Sequence, residues 1–243
     1  MNAIETHGLT KRYGQKIAVD GLDLAVAQGE LFALLGVNGA GKTTAIKMLC
    51  CLLQPTGGEA LVLGEDVTAA PLKIKARINV SPQETAVAPN LTVRENLELI
   101  CGLYGNNARA ARTKAEEALT TYGLQDVAGS RAKNLSGGWQ RRLSIAMALI
   151  TQPEILFLDE PTLGLDVLAR RELWQIIRGL KGRVTVILTT HYLEEAQALA
   201  DHIGILSHGR LAAAGTAEEL IARAGAANFE DAFVSLCEGG ATL

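Results

Sequence analysis

The stretch GVNGAGKTT, residues 36–44, decides the fold of this 243-residue chain. Its first eight residues match the pattern G-x-x-x-x-G-K-[ST], in which a glycine-rich loop surrounds phosphate groups. The loop follows an apolar run at 30–36 and precedes a segment with helical periodicity at 42–53. Glycines let successive backbone N–H groups point inward, and the N-terminus of the following helix adds a positive potential. The stretch therefore predicts a strand, a loop and a helix that together bind the phosphates of a nucleotide.

Residues of this loop have separate expected roles. Lys42 can reach the β- and γ-phosphates, and the hydroxyl of Thr43 can bind a magnesium ion. The loop residues expected to contact the nucleotide are Gly36, Asn38, Gly39, Ala40, Gly41, Lys42, Thr43 and Thr44. The competing interpretation is a chance glycine-rich turn, which the apolar run before the loop and the helical segment after it disfavour.

Two further apolar runs, at 155–160 and 184–191, are bounded by turn residues like the run before the loop. Continuous apolar runs are typical of strands buried on both faces of a parallel sheet. Segments with helical periodicity lie between these strands, at 92–104, 109–122, 137–150 and 166–180. This alternation predicts an α/β fold with a mainly parallel sheet. The motif at 36–44 makes the P-loop NTPase (RecA-like) type the expected one.

The organisation along the chain predicts a single nucleotide-binding domain over 1–243. The opening region contains LDLAV at 22–26, whose alternating apolar residues and flanking glycine turns predict a small N-terminal antiparallel β subdomain. A helical subdomain is expected as an insertion at about 84–150, and a short helical tail at about 216–243.

Composition restricts the class of protein. Hydrophobic residues make up 48% of the chain and charged residues 20%, yet no apolar run approaches the ~18 residues needed to span a bilayer. The N-terminus has no apolar segment behind a basic start, so no secretory signal is expected, and the four cysteines lack the spacing of a zinc site. A net charge of −3 provides no basic field for nucleic acid. The expectation is a cytoplasmic protein that does not bind nucleic acid.

Polar residues follow the second and third apolar runs. Asp159 would hold magnesium, and Glu160 would orient or deprotonate the attacking water. His191 follows the third run and could contact the γ-phosphate at the carboxyl edge of the sheet. The alternatives are that the acidic pair caps a helix in a solvated turn, and that the histidine is an ordinary packing residue.

The segment LSGGWQRR at 135–142 contains a second candidate phosphate site. Ser136, Gly137 and Gly138, called here the Ser-Gly-Gly segment, open a predicted helix with accessible backbone N–H groups. One nucleotide has little use for two such sites in one chain. In a head-to-tail dimer, by contrast, this segment would close on the nucleotide held by Lys42 of the other subunit. The alternative is that Ser-Gly-Gly is a common turn and helix cap.

The motifs GVNGAGKTT, VSPQE, LSGGWQRR, ILFLDEPTLGLD and LTTH occur in this order. Together they resemble the nucleotide-binding subunits of ATP-binding cassette transporters over nearly the whole chain. The resemblance implies an ATPase that uses ATP and Mg²⁺. It also implies that Gln83 senses magnesium and the γ-phosphate, that Asp166 lies in the loop crossing the dimer interface, and that Tyr13 stacks on adenine. The catalytic residues would be Lys42, Gln83, Glu160 and His191, and the metal ligands Thr43, Gln83 and Asp159.

The surrounding sequence narrows the resemblance to one subclass. LTVRENLELICGLYG, TTHYLEEAQALADHIGILSHGR and FEDAFVSLCEG look like segments of the ATPases that serve drug, antibiotic, polysaccharide and haem-precursor exporters. This implies a homodimer bound to a separate polytopic permease on the inner face of the cell membrane, with hydrolysis driving export. Four residues depart from the family's commonest pattern and are expected to affect dimer coupling rather than hydrolysis: Ser81, Trp139, Leu163 and Val167.

Two other classes of protein are open at this point. A soluble cassette ATPase that works on ribosomes, on DNA or in iron–sulfur assembly would have no membrane partner. The iron–sulfur assembly type would contain these motifs in a single cassette. A small-molecule P-loop kinase would explain the loop at 36–44 but not the Ser-Gly-Gly segment.

Overall fold

The structure is a computed structural model that describes residues 1–239, and this part of the chain contains ten strands and nine α-helices. The strands are β1 (Asn2–Tyr13), β2 (Lys16–Ala27), β3 (Leu31–Leu35), β4 (Gly57–Val62), β5 (Glu65–Asp66), β6 (Ile78–Ser81), β7 (Ile155–Asp159), β8 (Thr185–Thr190), β9 (His202–Ser207) and β10 (Arg210–Gly215). The helices are α1 (Lys42–Leu49), α2 (Pro71–Lys75), α3 (Val93–Leu103), α4 (Ala108–Thr121), α5 (Gly137–Leu149), α6 (Val167–Arg178), α7 (Leu193–Leu199), α8 (Ala217–Ala224) and α9 (Phe229–Gly239). Within these residues, no helix combines the length and the apolar character needed to span a membrane.

A six-stranded sheet with the order β10-β9-β3-β8-β7-β6 forms the centre of the fold. Neighbouring strands run parallel except for the edge pair of β9 and β10. Every residue of β3, β7 and β8 is buried, which explains why these strands appear in the sequence as continuous apolar runs. The predicted α/β core with a mainly parallel sheet is therefore confirmed.

The carboxyl ends of β3, β7 and β8 meet at one edge of this sheet. Leu35 at the end of β3 pairs with Thr190 of β8, and Asp159 at the end of β7 pairs with Thr189. The phosphate-binding loop and the two segments that carry the candidate catalytic residues follow these strand ends directly. The register of three strands therefore brings the candidate residues together.

A four-stranded antiparallel sheet with the order β2-β1-β4-β5 lies beside the phosphate-binding loop. It is larger than the sequence predicts, since β1 and β2 each extend over 12 residues and pair with several irregularities in register. A Cβ on Gly41 would lie 2.3 Å from the carbonyl oxygen of Ala18 in β2, and Gly41 has a φ of 107°. Only glycine fits this position of the loop.

Helices α3, α4 and α5 lie within the predicted insertion at 84–150 and form a core of their own. Its buried members include Val93, Leu97, Ala115, Leu119 and Leu143, none more than 1% exposed. The division of the chain into a main body, this insertion and a tail stays a prediction. Helices α8 and α9 fall in the predicted tail at 216–243, of which residues 240–243 lie outside the described residues.

Helix α1 ends at Leu49, whereas the sequence predicts an end at 53, so this boundary was wrong. Cys51 adopts a left-handed backbone conformation with a φ of 56°, and the N–H of Leu52 donates to the carbonyl of Lys47 at 2.8 Å. This is the hydrogen bond of a Schellman cap, which most often places glycine at the left-handed position. Because cysteine occupies that position here, the sequence contains no signal for the end of the helix.

Candidate active site

Most of the candidate residues line one cleft of about 500 Å³, which includes the phosphate-binding loop. Those that line it are Tyr13, Asn38, Gly39, Ala40, Gly41, Lys42, Thr43, Thr44, Gln83, Glu160 and His191. Gly36 lies at the base of the loop, where a Cβ would be 2.5 Å from the carbonyl oxygen of Leu206. Asp159 is only 6% exposed and contacts Thr43 from below the cleft surface. The remaining candidates, Asp166 and the Ser-Gly-Gly segment, lie outside this cleft within the described residues.

The phosphate-binding loop surrounds a buried cation. Lys42 is 6% exposed, and its Nζ donates to the carbonyl oxygen of Gly36 at 2.6 Å. The same Nζ lies 3.4 Å from Oε1 of Glu160. Helix α1 begins directly after Gly41, which has no side chain to cap the first N–H groups of the helix. The loop therefore offers a cation and a helix N-terminus to an anion in the cleft.

Oxygen atoms at the base of the cleft form a candidate magnesium site. Oγ1 of Thr43 lies 3.3 Å from Oδ2 of Asp159, and Thr189 donates to Oδ1 of Asp159 at 2.5 Å. A hydroxyl and a carboxylate are ligands that Mg²⁺ prefers, and its other ligands are usually phosphate oxygens and water. These side chains therefore fit the ion, with the Thr189 hydroxyl fixing the carboxylate. Gln83, the third predicted ligand, lines the same cleft as an exposed residue, and its role stays a prediction.

Glu160 is held in a constrained geometry. Its backbone is left-handed with a φ of 49°, which costs roughly 1–3 kcal/mol in a residue other than glycine. Its N–H donates to the carbonyl of Thr189 at 3.1 Å, and its Oε2 lies 2.8 Å from Nδ1 of His191. Because the Lys42 ammonium group lies 3.4 Å from the other carboxylate oxygen, the Glu160 side chain is fixed between a cation and an imidazole ring. This arrangement suits a carboxylate that accepts a proton from water in the cleft.

The Ser-Gly-Gly segment begins α5 at a separate shallow depression of about 170 Å³. Ser136 is the N-cap of α5, yet among the described residues its side chain accepts no capping hydrogen bond. Ser136 and Gly137 are both exposed. The segment is therefore available to a ligand other than the one held by the loop of its own chain.

Asp166 has a local role that the sequence analysis did not anticipate. Its Oδ1 accepts hydrogen bonds from the N–H groups of Leu168 at 2.9 Å and Ala169 at 3.0 Å, so it caps α6. A Cβ added to Gly138 would lie 3.0 Å from the Cβ of Ala169, which places the start of α6 beside the start of α5. Asp166 is exposed there, and its predicted role at a dimer interface stays a prediction.

The buried polar residues behind the cleft that the sequence analysis missed include Arg141, Thr189 and Glu195. Thr189 has a signal that could have found it, because a hydroxyl near the end of a strand buried on both faces needs a hydrogen-bonding partner. Arg141 and Glu195 lie in helices, where one charged residue does not indicate which face is buried.

Glu195 lies in α7 behind the catalytic residues. It is 0% exposed, and its Oε1 accepts a hydrogen bond from Nε1 of Trp174 at 3.0 Å. Burial raises the pKa of the Glu195 carboxyl group, and the nearby charge of Glu160 adds to this, against the lowering effect of its hydrogen bonds. The surroundings therefore hold the pKa of Glu195 above its ordinary value, so the folded protein binds this proton more tightly than the unfolded chain does.

We expect Glu195→Gln to stabilise the protein, and to do so more at pH 8 than at pH 5. A raised native pKa means that the wild type loses stability as the pH rises through that pKa, since the folded state holds the proton more tightly than the unfolded chain. Glutamine is a neutral isostere and has no such loss. Thermal unfolding at both pH values measures the effect, with Glu194→Gln at the exposed neighbouring position as the control. A gain of equal size at the two pH values would contradict the raised pKa.

Comparison with known proteins places this site in a family. The family model described as ABC transporter matches residues 19–163, which contain the loop, the Ser-Gly-Gly segment and both candidate carboxylates. The chain belongs to the ABC transporter family. Daunorubicin resistance ATP-binding protein DrrA3 of Streptomyces coeruleorubidus is 48% identical to it over 224 residues, which are 92% of this chain and 71% of that protein.

Solved structures of ATP-binding cassettes align along most of the chain. An ATP-binding subunit of an ABC transporter has a TM-score of 0.85 at 28% identity, covering 96% of this chain and 99% of that chain. An ATP-binding cassette solved as a dimer in a post-hydrolysis state with ADP and Pi has a TM-score of 0.79 at 28% identity, covering 88% and 98%. This member of the ABC transporter family is thus an ATP-binding and ATP-hydrolysing subunit, which confirms the predicted family and activity. These relatives support neither a P-loop kinase nor a soluble cassette ATPase.

Proposed function

We propose that this ABC subunit powers the export of a drug or antibiotic through a separate membrane permease, as one half of a head-to-tail homodimer. The substrate class and the direction are supported by the 48% identity to a daunorubicin resistance ATP-binding protein. The observation that carries the dimer is the position of the Ser-Gly-Gly segment outside the nucleotide cleft of its own chain.

In a twofold pair, each Ser-Gly-Gly segment would cover the γ-phosphate held by Lys42 of the partner subunit. Such an interface uses the same surface on both subunits and creates two equivalent ATP sites. Moving the pair from 1:99 to 99:1 in favour of the closed state requires that ATP bind that state more tightly by about 5.5 kcal/mol. The source that we propose for this difference is the splitting of the contacts to each nucleotide between two subunits, because an open subunit offers only its own share of them.

Within each site, the residues of the cleft divide the work of hydrolysis. Lys42 neutralises charge on the β- and γ-phosphates, and Glu160 accepts the proton of the attacking water. His191 orients the Glu160 carboxylate through the 2.8 Å contact and, as a residue that lines the cleft, would contact the γ-phosphate. Thr43 and Asp159 would hold Mg²⁺, which when bound supplies positive charge to the phosphate oxygens.

Three further residues complete the proposed site. Tyr13 is 49% exposed at the rim of the cleft and offers an aromatic surface to adenine. Gln83, which lines the cleft, would contact Mg²⁺ and the γ-phosphate and would pass the state of the site to the permease. Asp166, at the exposed start of α6, reaches the dimer interface.

The proposed permease-binding surface is an apolar patch at the C-terminal end of α3 and on the residue that follows it. The patch lies close to residues 82–83 after β6, called here the Gln83 segment. Leu99, Leu103 and Tyr104 are 43%, 72% and 49% exposed. The Tyr104 hydroxyl lies 3.4 Å from Nδ2 of Asn79 in β6, the strand that ends two residues before Gln83. A permease segment bound here would contact both the helical insertion and the Gln83 segment, and would hold the subunit on the cytoplasmic face of the membrane.

The test is a pull-down of the tagged native protein from gently solubilised membranes, with the co-purifying chains identified by mass spectrometry. We expect a stoichiometric polytopic membrane protein to co-purify with the wild type and to be lost in Leu103→Asp. It should be retained in Val234→Asp, which changes an exposed apolar residue on α9 in the same way. Recovery only in the soluble fraction, with ribosomal or iron–sulfur assembly proteins attached, would contradict the transport function and leave the ATPase activity standing.

A further inference from the structure

Arg141 is a buried cation on the side of α5 that faces the catalytic residues. It is 4% exposed, and within the described residues all of its hydrogen bonds go to backbone carbonyl groups. Its Nη1 donates to Pro82 at 2.5 Å, and its Nη2 donates to Gln83 at 2.6 Å and to Glu160 at 3.2 Å. One guanidinium group therefore joins the Gln83 segment to the catalytic glutamate.

A second contact attaches α5 to the same region three residues further along the helix. Oγ of Ser144 lies 2.9 Å from Oγ of Ser81, and both side chains are buried. Positions 141 and 144 share one face of α5, and Ser81 is the residue directly before Pro82. Helix α5 is thus fixed at two points to the end of β6 and the loop that follows it. Ser81 is one of the four departures from the common family pattern, and its hydroxyl makes this contact.

The carbonyl groups that Arg141 holds belong to residues whose orientation matters for hydrolysis. The left-handed backbone of Glu160 persists only where its surroundings fix it. Burial lowers the pKa of the Arg141 guanidinium, more than the nearby charge of Asp159 raises it, and a guanidinium stays protonated in proteins. A planar group with five donors in fixed directions holds three carbonyl oxygens at once, which a lysine ammonium does not reproduce.

We infer that Arg141 is a positioning residue that couples the two ATP sites of the dimer. The Ser-Gly-Gly segment at the N-terminus of α5 contacts the partner's ATP, and Arg141 in the second turn of the same helix holds the Gln83 segment and Glu160 of its own subunit. When the dimer closes on one ATP, α5 therefore moves the Gln83 segment and Glu160 of the other site into their active geometry. The inference rests on the head-to-tail dimer of the proposed function.

The test compares the purified full chain with Arg141→Met and Arg141→Lys. Arg178→Met is the control, since Arg178 also donates to a backbone carbonyl, that of Ala198, but is exposed on α6 and does not line the cleft. The measurements are the rate of phosphate release against ATP concentration, the binding of a fluorescent ATP analogue to the dilute monomer, and the melting temperature. Methionine keeps the apolar stem, and lysine keeps the charge without the fork of donors.

We expect both Arg141 variants to bind the analogue within about twofold of the wild type, because Lys42 and the loop are untouched. The kcat should fall by about tenfold or more, since small displacements of a catalytic group are costly. The Hill coefficient, between one and two for the wild type with two coupled sites, should fall to about one. Lysine should recover part of kcat and none of the cooperativity, and Arg178→Met should match the wild type.

Two results would contradict the inference in different ways. A cooperative wild type whose Hill coefficient is unchanged in both Arg141 variants, at any kcat, would overturn the coupling role and leave the dimer standing. A wild-type Hill coefficient of one would contradict the proposed dimer mechanism itself, and the coupling role with it. If Arg141→Met is unfolded at the assay temperature or fails to bind the analogue, the Hill coefficient of Arg141→Lys, which keeps the buried charge, decides whether the coupling role holds.

Discussion

Glu160→Gln will lower the rate of ATP hydrolysis by about 100- to 1,000-fold while ATP affinity stays within about twofold. Glutamine keeps the shape of the side chain and a hydrogen-bonding oxygen for His191, but it does not take a proton from water. The left-handed backbone and its bonds to Thr189 are unaffected by the change. Because ATP then stays intact, the variant should accumulate as an ATP-bound dimer. Size-exclusion chromatography measures this as a larger species that forms with ATP and is absent without it.

The control for this prediction is Glu154→Gln, which removes an exposed carboxylate that pairs with Arg77 far from the cleft. Its hydrolysis rate should equal that of the wild type, since an exposed pair contributes about 0–1 kcal/mol to stability and none to the site. A Glu160→Gln protein that hydrolyses ATP at the wild-type rate would remove Glu160 from the role of general base and shift attention to His191.

Ser136→Glu will lower the rate of ATP hydrolysis by about 100-fold or more without changing the binding of one ATP to the monomer. Ser136 is exposed at the start of α5, where a negative side chain is compatible with the helix dipole, so the monomer should fold normally. At the proposed interface the same charge would repel the γ-phosphate held by Lys42 of the partner. The ATP-dependent dimer of Glu160→Gln should therefore disappear when Ser136→Glu is added.

The control is Ser235→Glu, which adds the same charge to an exposed position of α9. It should hydrolyse ATP and dimerise like the protein without it. If Ser136→Glu instead weakens ATP binding by the monomer to the extent that it lowers turnover, the Ser-Gly-Gly segment supports the fold of its own subunit and takes no part in an interface.

The parts of the site that could be predicted are those that are contiguous in sequence. Lys42 and Thr43 come after a strand buried on both faces, as Glu160 and His191 do. Such strands can be recognised in the sequence as continuous apolar runs. Their register then follows from the rule that parallel strands present their carboxyl ends at one edge. The antiparallel β1 and β2 were predicted in kind but not in length, because bulges let their pairing continue where the alternating pattern breaks.

What could not be predicted depends on how elements pack. Two arginines stand side by side in LSGGWQRR, and only the rotation of α5 against β6 makes Arg141 a buried link while Arg142 pairs with Glu172. The capping role of Asp166 depends on where α6 begins within the LGLDVL run. Such contacts between distant parts of the chain leave no pattern in a single sequence.

The central claim, that each ATP site is built from two subunits, is tested most directly by mixing two inactive variants. Lys42→Ala lacks the phosphate-binding cation in both sites of its homodimer, and Ser136→Glu lacks a usable Ser-Gly-Gly segment in both. In a mixed head-to-tail dimer, one site combines both defects and the other combines Lys42 of one variant with Ser136 of the other. An equal mixture should therefore regain activity that neither component has, up to about one quarter of the wild-type hydrolysis rate, since half of the dimers are mixed and each has one intact site. Loss of the coupling through Arg141 to the disabled site lowers the recovery below this limit. A mixture as inactive as its components would contradict the shared site and place the whole of catalysis within one chain.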